Sequence, residues 1–454
     1  MAIEQRIDQT AGDTIFAPAT ASGPAGIAVI RVSGPGARRV LEGVCGIDTP
    51  VPRRAIRCRM VDPVTGEALD DGLMLWFPGP ASFTGEDVAE LHLHGGRATV
   101  EAVCTVLGRM EGLRFAEAGE FSRRAFYNGK LDLTEIEGLA DLVAAETEAQ
   151  RRQALRQLEG ALGRMLEGWR TRLLAALARI EAAIDFPDED LPDRLVSETN
   201  HQILGLCGEI SQFLDDSHRG ERVRDGLHLA IVGAPNVGKS SLLNALARRD
   251  AAIVSEIAGT TRDVIEIRLD LAGYPVTVAD TAGLRAAAAA IEEEGVRRAL
   301  ARADAADLRL VVFDASSGTP DEASLALLGP NSLAIVNKVD LGTIELLADL
   351  RGELPKAIAV SVRTGEHLDA LLAEIGCRVA ERLDRGGPPP LTRARHRAAL
   401  EDCVAALDRA AATQGVDLMA EDLRLATVAL GRITGRVDIE DVLDVIFSEF
   451  CIGK

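Results

Sequence analysis

The stretch Leu227-His-Leu-Ala-Ile-Val-Gly-Ala-Pro-Asn-Val-Gly-Lys-Ser-Ser-Leu-Leu-Asn-Ala-Leu246 decides the fold of the middle of the chain. Its apolar run, Leu227–Val232, predicts a buried strand, and Leu242-Leu243-Asn244-Ala245-Leu246 predicts a helix start. Between them lies Gly233-Ala-Pro-Asn-Val-Gly-Lys-Ser240, whose glycines let the backbone curl so that its N–H groups face phosphate oxygens. The helix N-terminus adds its dipole. Lys239 is placed to reach the β- and γ-phosphates and Ser240 to ligate Mg²⁺, with Asn236, Val237, Gly238 and Ser241 completing the cradle. The plain alternative is a glycine-rich turn; the strand–loop–helix context argues against it.

Further elements follow in order. Strand candidates are Val264–Leu271, Val276–Ala279, Leu308–Phe313, Leu333–Val336 and Ala357–Val360. Asp280-Thr281-Ala282-Gly283 follows one of them; Asp280 would hold Mg²⁺ through water and the Gly283 N–H would meet a γ-phosphate. Asn337-Lys338-Val339-Asp340 follows another. The Asp340 carboxylate can accept from guanine N1–H and N2–H, two donors that adenine lacks in that arrangement. Ser361-Val362-Arg363 follows the last strand and offers backbone contacts to the base. Thr261, in Gly259-Thr-Thr-Arg-Asp263, lies where a switch loop offers a hydroxyl to Mg²⁺. The pattern selects GTP over ATP. Leu284 stands where Ras-like proteins carry a water-orienting glutamine, so that group must come from elsewhere.

At 454 residues the chain exceeds one core, and its 47% apolar and 26% charged residues are ordinary for a soluble protein. The net charge of −20 excludes a broad basic footprint. Local basic clusters remain at Arg151–Arg152, Arg156, Arg164, Arg170 and Arg172, and at Arg393, Arg395 and Arg397; a solvated helix face is their plain reading. Met1–Thr10 is no secretory signal, no run is long enough to span a membrane, and seven scattered cysteines disfavour a disulfide framework. A cytoplasmic home follows.

Three textures organise the chain, the last of them the regular alternation of apolar strands and helices that begins at Leu227. From Thr14 to about Arg114, short apolar runs broken by Gly and Pro predict an α+β domain. Leu131–Asp216 has helical spacing, interrupted at Asp185-Phe186-Pro187, and Arg219–Asp225 reads as a charged linker. Leu391–Lys454 is helical again, but too short for a core of its own. The expected fold is therefore multidomain α/β and α+β: a P-loop G domain inserted in an α-helical domain, preceded by an α+β domain. The boundaries are 1–128, 129–218, 219–384 and 385–454.

Together these residues resemble the MnmE/TrmE family of tRNA-modifying GTPases, from Asp13 to Lys454. The likeness is carried by Ala25-Gly-Ile-Ala-Val-Ile-Arg-Val-Ser-Gly34, Ser82-Phe-Thr-Gly-Glu-Asp-Val88, Glu90-Leu-His-Leu-His-Gly-Gly96, the run Ala118–Leu133, Gly259–Asp263 and Phe450-Cys-Ile-Gly-Lys454. The resemblance implies that a K⁺ ion replaces an arginine finger, held by Asn236 and by oxygens of Ser255, Ile257 and Thr260. Glu256 and Ala258 share that GTP-contacting loop. It implies Glu292 as the water-orienting group, although Ala286–Ala290 lacks the polar residues usual before it. Asn236 and Lys239 join it as catalytic.

The resemblance also implies an N-terminal folate-binding domain that pairs two subunits and holds 5-formyltetrahydrofolate or a related folate through Arg31, Glu90, Lys130 and Lys454. Basic groups suit the glutamate tail and a carboxylate suits the pterin N–H groups. Surface ion pairs are the alternative. Glu90, His92 and His94 alternate on one strand, a geometry that could also hold a metal. Cys451, beside the tail, is a candidate nucleophile toward a one-carbon unit, or a small apolar anchor. The implied activity is modification of carbon 5 of a tRNA wobble uridine by a homodimer working with a flavin-containing partner of the MnmG/GidA family, without a membrane. The alternatives are a regulatory GTPase whose folate-like domain only dimerises, and a ribosome-assembly GTPase.

Overall fold

The computed structural model describes residues 12–21, 23–185, 193–216, 218–249, 266–280, 306–317, 319–342, 354, 356–383, 390–413, 415–437, 443, 446–447 and 453. The chain divides into two compact units. One comprises 1–140, 157–203 and 409–454; the other comprises 141–156 and 204–408.

The first unit holds a six-stranded sheet built from β1 (Thr14–Pro18), β2 (Ala25–Ser33), β3 (Ile56–Val61), β4 (Ala68–Phe77), β5 (Val88–Gly95) and β6 (Leu113–Phe115). Their order is β3-β4-β5-β2-β1-β6, antiparallel except for β1 beside β6. Strand alternation sends Ile30, Val32, Met74, Trp76, Ala89 and Leu91 to one face. There they pack with Val40, Leu41 and Val44 of the helix Ala37–Cys45 and with Val103, Val106 and Leu107 of the helix Arg97–Arg109. The same alternation turns Arg31 and Glu90, directly opposed in register, to the other face.

Three motif residues of the first unit, Glu86, Glu120 and Arg124, are committed to its fold. Arg124, on the helix Glu120–Tyr127, is only 5% exposed. Its guanidinium donates to Asp13 Oδ1 at 2.8 Å, to Glu120 Oε1 at 3.0 Å and to both Glu86 carboxylate oxygens at 3.2 Å. Arg114 closes the network on Asp13 and Glu120, each at 2.6 Å. Burial alone would push the Glu120 carboxyl up, but Arg114, the Glu117 N–H and Arg124 outweigh it and hold it below the ordinary range. In the same unit the helix Ala161–Asp185, which precedes the α/β segment in sequence, packs on Val416–Thr434, which follows it.

The second unit contains β7 (Leu227–Val232), β8 (Glu266–Leu271), β9 (Tyr274–Asp280), β10 (Leu308–Asp314), β11 (Ser332–Asn337) and β12 (Ile358–Ala359). Their order is β12-β11-β10-β7-β9-β8, parallel except at the β8–β9 hairpin. Both faces of β7, β10 and β11 are covered, so these central strands are mostly apolar, whereas the edge strand β8 alternates polar and apolar residues. Leu227, Leu229 and Ile231 enter one cluster with the helices Lys239–Ala247 and Leu368–Leu383, while Ala230 and Val232 enter another with Val311, Phe313 and Val336.

Three expectations change. The sequence at 264–279 reads as part of a regular strand–helix alternation, but β8 and β9 form a tight hairpin. Ala272 and Gly273 turn it at φ 55° and 84°, a primed turn that suits the strand twist. The supposed linker Arg219–Asp225 is a short helix, because Val223 is buried and the Gly220 backbone lies so close to Leu391 O that a Cβ would approach it to 2.1 Å. The Arg393–Arg397 cluster is not a wholly solvated face. Arg393 pairs with Asp141 at 2.8 Å and Arg397 with Asp216 at 2.6 Å, with both arginine side chains 12% exposed.

Candidate functional sites

The strand order reverses at β7 and β10, and the crevice at the carboxyl ends of parallel strands at such a point is where α/β sheets take ligands. The loop Gly233–Ser240 leaves β7 there. Gly233 has φ 142° and its backbone runs against Val312, so that a Cβ would approach Val312 O to 2.3 Å. Asn236 is left-handed at φ 66°, a conformation asparagine tolerates better than most residues. Gly238, at φ 100°, leads into the helix Lys239–Ala247. The Lys239 ammonium donates to Gly233 O at 2.9 Å and Ala234 O at 2.8 Å, spanning the loop's concave side. Ser240 and Ser241 are exposed at the helix N-terminus.

The segment after β11 ties this loop down at two points. Asn337, buried, donates from Nδ2 to Val237 O at 2.8 Å and accepts from Val362 N at 3.2 Å. Lys338 donates to Asn236 O at 2.8 Å and to Asp314 Oδ2 at 2.6 Å. Burial would push the Asp314 carboxyl up, but Lys338 and Ser316 hold it below the usual carboxylate range.

The candidate base-reading carboxylate, Asp340, accepts from Ser361 Oγ at 2.5 Å. That bond and the Arg363 guanidinium keep its pKa below the ordinary value, so it is ionised at neutral pH. Arg363 approaches Asp340 Oδ2 to 2.6 Å as an ion pair. With its side chain 72% exposed, Arg363 is screened by solvent and readily displaced. Val362 and Ser361 reach this loop because Ser361 bridges Glu366. The expected residues Asn236 to Ser241, Asn337, Lys338, Asp340 and Ser361 to Arg363 thus cluster at one end of the sheet. Asp280 ends β9, paired with Ile231 of β7. Ser255, Glu256, Ile257, Ala258, Gly259, Thr260, Thr261, Thr281, Ala282, Gly283 and Glu292 lie outside the described residues.

The first unit carries a second site. A cavity of about 390 Å³ is lined by Arg31, Glu90 and Lys130, as expected, and also by Arg53, Phe77 and Phe83. Arg31 donates from Nε and Nη2 to Glu90 Oε1, both at 3.1 Å, and its guanidinium lies over Phe83 and Phe121 at 5.4 and 5.7 Å. Lys130 donates to Pro80 O at 3.0 Å. Arg53 donates to Ala81 O and lies over Phe77 at 5.5 Å. The sequence passed over Arg53 because Val51-Pro-Arg-Arg54 matches no chemical motif. Gly453 packs against Pro18, where a Cβ would approach Pro18 O to 2.1 Å; Cys451 and Lys454 lie outside the described residues.

The metal reading of Glu90, His92 and His94 fails. His94 Nδ1 instead meets Asp70 Oδ1 at 2.8 Å, and His92 Nε2 lies 3.5 Å from Glu90 Oε2. Among the described residues no group of three or more potential ligands converges.

Sequence comparison decides the family. Residues 14–130 match the profile of the GTP-binding protein TrmE N-terminus, and 133–451 that of the MnmE helical domain. The tRNA modification GTPase MnmE of Parvibaculum lavamentivorans is 58% identical over 448 residues, covering 97% of this chain and 100% of that one. The chain belongs to the MnmE family. MnmE proteins of Paramagnetospirillum magneticum and Rhodospirillum rubrum are 57% and 56% identical, each covering 97% of this chain and 100% and 99% of their own. Among the described residues no helix is long and apolar enough to cross a membrane.

Proposed function

We propose that the chain is a GTP hydrolase that takes part in tRNA modification. The observation that carries the nucleotide assignment is the Asn337 bridge between Val237 O and Val362 N, which joins a phosphate loop to a base-reading loop whose Asp340 carboxylate is ionised. An Asp340 carboxylate accepts from the adjacent N1–H and N2–H of guanine and from nothing equivalent on adenine. The fit of a bound nucleotide is supported by the tight curl of the loop: a Cβ at Gly233 would meet Val312 O and one at Gly238 would meet Asn337 Nδ2, so only glycines let the backbone turn its N–H groups inward. Ser240 and Thr261 would hold Mg²⁺, with Asp280 acting through water, and the ion would offset charge on the β- and γ-phosphates.

K⁺ dependence is part of the same reading. Asn236, Ser255, Ile257 and Thr260 would hold the ion, and the Asn236 backbone is already pinned through its carbonyl by Lys338. Glu292 would orient water. The chemistry of this chain's own residues is then to grip the triphosphate and select the base. The G domain is read as an insertion in the helical domain, supported by the packing of Ala161–Asp185 on Val416–Thr434. The boundaries 1–128, 129–218, 219–384 and 385–454 are retained as the functional division.

The N-terminal domain is read as a folate-binding and dimerising module, supported by the cavity with its cations, its carboxylate and its aromatic walls. Gly453 beside Pro18 supports a role there for the neighbouring Lys454 and Cys451, since Pro18 pairs with Ile30, next to Arg31. With a flavoprotein of the MnmG/GidA family, the homodimer would install the one-carbon-derived group at carbon 5 of the wobble uridine, in the cytoplasm. Mass spectrometry of wobble nucleosides from cells lacking this chain tests the proposal. Loss of 5-aminomethyl-type uridines supports it; an unaltered nucleoside profile overturns it.

A further inference from the structure

Three cations line the cavity of the first unit, and they are not equivalent. Arg31 is spent on Glu90: two of its nitrogens reach one carboxylate oxygen, the pair's side chains are only 21% and 18% exposed, and Phe83 and Phe121 flank the guanidinium. An arginine so neutralised orients its carboxylate rather than attracting a second anion. Glu90 Oε2, by contrast, has among the described residues only the 3.5 Å contact with His92, which leaves it able to accept from a ligand N–H.

Among the described residues Arg53 and Lys130 have no acidic partner in the cavity; both donate to neutral carbonyls of one loop, Ala81 O and Pro80 O. A carboxylate is a stronger acceptor for either cation than an amide carbonyl. Arg53 reaches this position because its left-handed backbone (φ 58°) is fixed by a 2.8 Å bond from its N–H to Trp76 O, and its side chain then lies over Phe77.

We infer that Arg53 is a ligand-binding residue that receives the carboxylate end of an anionic heteroaromatic ligand, while the Arg31–Glu90 pair reads the ligand's N–H edge. The inference rests on the folate reading above and reassigns the expected role of Arg31. On binding, the glutamate carboxylate of the ligand replaces Ala81 O as the partner of Arg53.

A chemical double-mutant cycle tests it with the full chain. Isothermal titration calorimetry is run on the wild type and Arg53→Gln, with 5-formyltetrahydrofolate and with its glutamate dimethyl ester; circular dichroism verifies the variant's fold, and Arg53→Lys serves as a second variant that keeps the charge. In the wild type, esterification weakens binding about 10- to 100-fold, and Arg53→Gln weakens binding of the free acid by a similar factor. In Arg53→Gln the ester costs much less, because the interaction is already gone; Arg53→Lys restores part of the acid's advantage. Equal acid affinity in wild type and Arg53→Gln, or an esterification cost unchanged by the substitution, overturns the inference while leaving the folate reading intact. A wild type that binds neither compound removes the folate reading itself, and the inference with it.

Discussion

Gly238 and Asn337 are built around each other: a Cβ on Gly238 would stand 2.3 Å from Asn337 Nδ2, the same nitrogen that donates to Val237 O. The left-handed φ of 100° adds to the exclusion of any side chain. Gly238→Ala should therefore displace Asn337 and open the loop, lowering guanine-nucleotide affinity on the order of 100-fold or more while the β-sheet stays folded. Fluorescent-nucleotide titration measures it. Affinity within a factor of two of wild type would show that the tie is dispensable.

Asp340 gives a pH signature. Its carboxyl is held below the ordinary range chiefly by Ser361, then by Arg363. A depressed carboxylate supports binding at and above the ordinary carboxylate range and loses that support only as pH falls through its own lower value. Ser361→Ala should raise that value, so the acid loss of nucleotide affinity begins at higher pH. Titrations from pH 2.5 to 6 test the shift, checked against a fold probe; an unmoved acid limb rejects the role given to Ser361.

Arg124 predicts a stability effect away from both ligand sites. Arg124→Met leaves the half-buried Glu86 without its cation and Glu120 with Arg114 alone, which should cost about 1–3 kcal/mol. Because the Glu120 carboxyl is held below its ordinary range, the wild-type advantage should persist through mild acid and be lost as pH falls through that lowered value. Thermal unfolding of the wild type and the variant at pH 7 and in steps down to pH 2.5 measures both. An unchanged Tm at neutral pH contradicts the account.

K⁺ should stimulate hydrolysis steeply and Na⁺ little, and Asn236→Ala should abolish the difference. Rates of phosphate release in matched chloride salts decide it. Equal rates in the two salts refute the assigned role of Asn236.

Much of this was legible in the sequence wherever one residue type can satisfy a local demand. Gly233, Gly238, Lys239, Asn337 and Asp340 could be read because phosphate and guanine impose fixed chemistry on short spacings, and the strands β7, β10 and β11 because both of their faces are buried. What stayed hidden depends on contacts distant in sequence. The helix Arg219–Asp225 offers one buried apolar side chain, Val223, and is seated by the close approach of Gly220 to Leu391, 171 positions away by subtraction of their numbers. Arg393 and Arg397 read as solvated charges until Asp141 and Asp216 are brought to them. Arg53 entered the cavity only through the register of β3 and β4, which sets the Arg53 N–H on Trp76 O.

The most direct test of the central claim is a specificity exchange at Asp340. Its carboxylate accepts from guanine N2–H; an asparagine amide can instead donate to the oxygen that xanthine carries at that carbon. In K⁺ and Mg²⁺ the wild type should hydrolyse GTP and leave ATP and XTP almost untouched, whereas Asp340→Asn should lose GTP and gain XTP hydrolysis. Wild-type hydrolysis of ATP as fast as GTP, or an Asp340→Asn variant that keeps full GTP activity, would contradict the account.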